Sequence, residues 1–120
     1  MLRLALKEGV ALTARHFDPD FLPIYRCILE KWPATEDGYV WITAAYEDRK
    51  GFHGLYRAID VRTKNIMGWG RTAAARGPKL VELAARCSRR LGRNFDVVSH
   101  KKLAAKPKEH IHFELDEKGD

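Results

Sequence analysis

The alternation "HIHFEL" at residues 110–115 constrains the fold of this chain more than any other feature. Successive side chains of a strand point to opposite faces, so Ile111, Phe113 and Leu115 share one side and His110, His112 and Glu114 the other. The apolar side has to be buried against the rest of the chain. The polar side therefore belongs to a sheet that is covered on one face only. A second alternation, "YRAIDVRT" at residues 56–63, repeats the arrangement, with Ile59 and Val61 on the core side and Ala58, Asp60 and Arg62 opposite. Two strands thus present metal-ligating side-chain types on the same polar face.

The remaining pattern supplies the cover. Residues 19–32 read as an amphipathic helix, with Asp18 as N-cap, Pro19 in the first turn, and Phe21, Ile24, Tyr25, Ile28 and Leu29 at helical spacing. The β-branched and aromatic run "YVWITAAY" (39–46) predicts a strand. Residues 47–53 read as a polar loop, and "IMGWGRTAAARG" (66–77) as a Gly-rich irregular excursion carrying Trp69. A helix is expected over 78–91, with Pro78 near its start and Gly92 as its stop. "NFDVVSH" reads as a short strand and "KKLAAKPK" as a basic connector. The order helix, strand, strand, helix, strand, strand predicts an α+β domain, with helices on one face of a mostly antiparallel sheet and the polar site on the other.

A chain of 120 residues is expected to form one domain, residues 1–120. With 45% hydrophobic and 32% charged residues it has the composition of a soluble globular protein. No apolar run is long enough to cross a bilayer, so no membrane segment is expected. The opening "MLRLALKEGVALTARHF" lacks a secretion signal and predicts synthesis in the cytoplasm. Cys27 and Cys87 fall in helical segments without CxxC spacing and read as two buried thiols. His16 and His100 have no partner pattern and read as surface residues. The net charge of +6 suits an anionic partner, whether nucleic acid, a membrane surface or bacterial cell wall. Its basic residues are not interleaved with stacking aromatics, and no nucleic-acid-binding motif is present, so nucleic acid is not the expected partner.

A histidine, a carboxylate and a second histidine make a donor set for catalytic zinc, with three protein ligands and one open position. His53 stands seven residues before Asp60, and His112 lies on the last strand. A base is also needed, and Glu109, three residues before His112, is expected at the strand entrance after "KPK". His110 is a candidate substrate contact, and Trp69 a candidate wall of the substrate groove.

These residues resemble the motifs of the zinc D,D- and L,D-peptidases of bacterial cell walls. That group comprises D-alanyl-D-alanine carboxypeptidases and phage endolysins, and its fold is shared with the hedgehog signalling domain. The family's SxHxxGxAxD appears here as Gly51-Phe52-His53-Gly54-Leu55-Tyr56-Arg57-Ala58-Ile59-Asp60, with Gly51 for the serine and Tyr56 for the inner glycine. Its ExxH appears as Glu109-His110-Ile111-His112. The "HIHFE" ending, and "AIDVRT" followed by "LGRNFDVV", resemble small phage members over roughly residues 39–116. The resemblance implies zinc held by His53, Asp60 and His112, with Glu109 as general base. It also implies a basic side chain for the oxyanion, for which Arg49 is the candidate. The implied activity is hydrolysis of peptidoglycan stem peptides by a phage or prophage enzyme, reaching the wall after phage-type release or as part of a virion. The alternative is a catalytically inactive metal-binding or basic polymer-binding phage module of the same fold.

Overall fold

Ile59 lies directly opposite Phe113, and Val61 opposite Ile111, in a sheet whose apolar side is closed by two helices. The computed structural model describes residues 2–47, 56–101 and 108–116. Along the chain run β1 (Arg3–Leu6), a short 3-10 turn (Ala14–Phe17), α1 (Leu22–Lys31), β2 (Tyr39–Glu47), β3 (Tyr56–Arg62), α2 (Ala73–Leu91), β4 (Phe95–His100) and β5 (His110–Asp116). The strands pair in the order β1-β2-β3-β5-β4. β1 runs parallel to β2, and the other neighbours are antiparallel. The domain is therefore α+β with a mostly antiparallel sheet, as the alternation predicted.

Helix periodicity explains the cover. α1 buries Ile24, Cys27 and Ile28, while α2 buries Leu80, Leu83, Ala84 and Cys87. Both stripes recur at three- and four-residue steps, which is one face of a 3.6-residue helix. They meet Val40, Ile42, Ile59, Val61, Ile111, Phe113 and Leu115 in one core, and Trp32 brings its ring to 6.2 Å from that of Phe113. Each fully buried large apolar side chain contributes about 1.5–3 kcal/mol. Cys27 and Cys87 are buried free thiols, as expected.

Several expectations need correction. β1 was not foreseen, because four residues, "RLAL", give too short an alternation to distinguish a strand. α1 begins at Leu22 and not at residue 19. Asp18 and Asp20 turn instead toward Arg57, whose guanidinium is buried on the core side of β3 and reaches them at 3.3 and 3.4 Å. A buried guanidinium needs such partners. α2 begins at Ala73, within the stretch expected to be irregular. Thr72 caps it, its hydroxyl accepting the Ala75 N–H at 3.1 Å, and three alanines carry the first turn. Pro78 consequently sits inside the helix.

His16 is not a surface residue. It is 1% exposed, Nδ1 accepts the Thr13 N–H at 3.0 Å, and Nε2 donates to the Tyr46 carbonyl at 2.9 Å. His100 is half-buried and stacks on His110, ring centres 4.6 Å apart. Trp69 is buried in the core, with the Arg76 guanidinium 5.3 Å from its ring centre. No helix among the described residues is long and apolar enough to cross a membrane.

Candidate metal centre

Register brings two of the three predicted ligands together. Asp60 of β3 is the cross-strand partner of His112 of β5, and both side chains lie on the face away from the helices. Their ligand atoms, Asp60 Oδ1 and His112 Nδ1, are 2.6 Å apart. His112 Nε2 lies 3.1 Å from Glu114 Oε1, two residues along the same strand face. Glu114 is 5% exposed.

A β-bulge completes this corner. Ile42 pairs with Val61, but Ala44 pairs with Asp60, so Thr43 is the extra residue in β2. Without it, Tyr46 would fall on the core side with Val40 and Ile42, because one residue of register turns every later side chain over. With it, the Tyr46 hydroxyl donates to Asp60 Oδ2 at 3.1 Å. The carbonyl of Tyr46 is in turn anchored by His16. Neither Tyr46 nor His16 could be assigned from spacing, since a bulge leaves no mark in the alternation of "YVWITAAY".

The electrostatics follow from what each atom can donate. Ionised carboxylates only accept, so an imidazole between Asp60 and Glu114 has to present a donor or a cation at both nitrogens. Burial by itself lowers the His112 pKa. The hydrogen bonds and charges of Asp60 and Glu114 outweigh that and hold it above the ordinary histidine value. Burial likewise works to raise the Asp60 carboxyl, yet His112, His110 and Tyr46 hold it below the usual carboxylate range. His110 donates through Nδ1 to the Lys108 carbonyl at 2.9 Å, which leaves Nε2 as its open nitrogen, 3.8 Å from Asp60 Oδ2.

Among the described residues the corner supplies one carboxylate and one imidazole, Asp60 and His112, two donors of the kinds a divalent ion of borderline softness takes. In a tetrahedral zinc site, bonds of about 2.0–2.2 Å keep ligand atoms about 3.3–3.5 Å apart. The 2.6 Å contact is a short hydrogen bond, so the pair would open by roughly 0.8 Å to admit the ion. With an ion at Nδ1, Glu114 at Nε2 would be the outer carboxylate that orients the ring.

Glu109 stands immediately before β5, at the expected strand entrance, but its carboxylate is held on the helix-covered side of the sheet, by buried Thr63 and by Arg76 of α2, and not on the face of Asp60 and His112. Its Oε1 accepts from Thr63 Oγ1 at 2.6 Å and from Arg76 at 3.0 Å, and Oε2 accepts from Arg76 Nε at 3.1 Å. Neither Thr63 nor Arg76 was singled out in the sequence. Asp60, Glu109 and His110 line one depression of about 250 Å3, together with Lys7, Thr43, Arg62 and others. Trp69 does not line it; it faces a separate shallow depression beside Pro33 and Pro78. His53 and Arg49 lie outside the described residues.

A further acidic set adjoins this corner. Asp96 of β4 with Glu114 and Asp116 of β5 bring carboxylate oxygens within 4.8 Å of one another, and such a set could hold a metal ion. No family model, curated protein or solved structure matches the chain.

Proposed function

We propose that the chain is a zinc-dependent peptidase of bacterial peptidoglycan stem peptides, of the hedgehog/D,D-peptidase architecture that its motifs resemble. One observation carries the reading: His112 is clasped between Asp60 at Nδ1 and Glu114 at Nε2, on the face of the sheet away from the helices. Two carboxylates on one imidazole are the surroundings of a ligand histidine backed by an outer carboxylate. His53 supplies the third ligand by motif.

Bound zinc supplies a water that is acidic near neutral pH and polarises the scissile carbonyl. Glu109 is the acid–base residue. Thr63 and Arg76 take two sites on Oε1 and one on Oε2, so a lone pair on Oε2 remains for a proton. Glu109 lines the depression that Asp60 and His110 line, while Arg76 and Thr63 hold its carboxylate on the helix-covered side of the sheet. His110 presents Nε2 to the same depression and orients substrate. Arg49 is the proposed oxyanion partner, and the basic charge suits an acidic wall polymer.

The engagement of Glu109 with Arg76 favours a second reading, a metal-binding module of the same fold without catalysis. Mass spectrometry of digested peptidoglycan separates the two. Release of stem-peptide fragments by the zinc-loaded chain supports the peptidase. Zinc uptake with no fragment from any wall type supports the module.

A further inference from the structure

Lys64, Lys108 and Glu109 line two depressions at once. One holds Asp60 and His110. The other, about 520 Å3, lies against the first turns of α2 and is walled by Lys64, Arg71, Arg76, Lys101 and Lys108, with Glu36 and Glu109 as its carboxylates. Arg76 and Glu109 neutralise each other at 3.0 Å. Four cations then face one remaining carboxylate, Glu36. Among the described residues, none of Lys64, Arg71, Lys101 and Lys108 has an ion-pair partner.

The crowding is electrostatically unfavourable as it stands. Lys101 Nζ comes within 4.0 Å of the point a Cβ on Gly77 would occupy, over the N-terminal part of α2. The first turn of α2 holds no acid. Backbone N–H groups already make a helix N-terminus positive, so cations gathered there repel it unless an anion lies between. In the adjoining depression, which Lys108 also lines, Lys7 is pushed below the ordinary lysine range, chiefly by its contact with Lys108 and the charge of that residue.

We propose that the larger cavity is a binding site for a ligand carrying more than one oxyanion, carboxylate or phosphate. Through the shared wall of Lys64, Lys108 and Glu109, it holds the anionic substituent of the molecule processed at Asp60 and His112. This second part rests on the peptidase reading; the anion site itself does not. Recognition is electrostatic and accordingly falls with ionic strength. Under the peptidase reading the substituent is a stem-peptide carboxylate, and the cavity then selects acidic stem peptides.

The test is an amide-shift titration of the full chain, with and without zinc, using inorganic phosphate in one arm and the dipeptide L-Ala-D-Glu in the other. Arg71 and Lys101 are exposed, so Arg71→Ala/Lys101→Ala should fold and bind zinc as the parent does. The proposal expects saturable shifts at Gly70, Arg71, Ala73 and Lys101, with affinity about tenfold or more weaker in the double variant. Absence of shifts with both probes, or parent-like affinity in the double variant, overturns it. Tighter binding of phosphate than of the dipeptide keeps the anion site and removes the stem-peptide assignment. A parent that binds either probe but takes up no zinc leaves the cavity standing and fells the peptidase reading alone.

Discussion

His16 and His112 are both largely buried, and both use two ring nitrogens, but their partners differ in kind. His16 accepts from the Thr13 N–H and donates to the Tyr46 carbonyl, so one proton on a neutral ring satisfies everything around it. His112 lies between two carboxylates and needs either a second proton or a metal ion. Burial and hydrogen bonding alone therefore do not distinguish the two histidines. The charge of the partners does. The two are linked, since the carbonyl that His16 holds belongs to Tyr46, whose hydroxyl reaches Asp60.

The largest expected effects on activity are at His112 and at the proposed base, Glu109. His112→Ala should lose zinc and peptidoglycan hydrolysis together, whereas Glu109→Gln should keep zinc and lower turnover about 10²–10⁴-fold, the range for loss of a general base. Parent-like digestion by Glu109→Gln would remove Glu109 from the chemistry and make Glu114 the next candidate. A smaller change follows at the outer carboxylate. Glu114→Gln keeps an oxygen acceptor for Nε2 but drops the charge, so zinc affinity should fall about 10–100-fold with little change in thermal stability. Calorimetric titration reads this directly, and unchanged affinity would mean that Glu114 does not support the ligand.

The contrast predicts the opposite outcome at the structural histidine. His16→Ala leaves the Thr13 N–H and the Tyr46 carbonyl without their partner and removes a ring packed 5.4 Å from that of Phe21. The expected cost is about 2–4 kcal/mol in denaturant unfolding, with zinc uptake per folded chain unchanged. Loss of zinc from chains that remain folded would show that the two histidines act as one unit.

The smallest effect is a pH dependence. In the metal-free chain Asp60 sits below the usual carboxylate range and His112 above the usual histidine value. Their mutual contribution is then full between the unfolded values, about 3.9 and 6.5. It is lost as pH rises through the folded His112 pKa, and also as pH falls through the folded Asp60 pKa. Denaturant midpoints of the chelated parent should show a shallow maximum in that window, worth about 1–2 kcal/mol, which Asp60→Asn flattens. An equal maximum in Asp60→Asn would place the coupling elsewhere.

Much of this corner was legible in the sequence, because strand alternation is a strict period. "YRAIDVRT" and "HIHFEL" assign Asp60 and His112 to one face without any knowledge of the fold, and the observed register makes them direct partners. What escaped depended on relations that leave no periodic trace. The extra residue at Thr43 turns Tyr46 toward Asp60, and nothing in "YVWITAAY" announces it. Arg76 was hidden in a Gly-rich stretch that becomes helix because Thr72 caps it. His16 seemed unpartnered because its partners are two backbone groups, which every sequence possesses, and the hydroxyl of nearby Thr13.

Zinc titration of the chelator-treated chain, followed by calorimetry and native mass spectrometry at neutral pH, most directly tests whether Asp60 and His112 form half of a metal site. The parent should take up one zinc per chain with release of protons, and Asp60→Ala/His112→Ala should take up none. Failure of the parent to bind zinc would contradict the metal centre. So would parent-like uptake by the double variant, which would move the ion to the carboxylates of Asp96, Glu114 and Asp116.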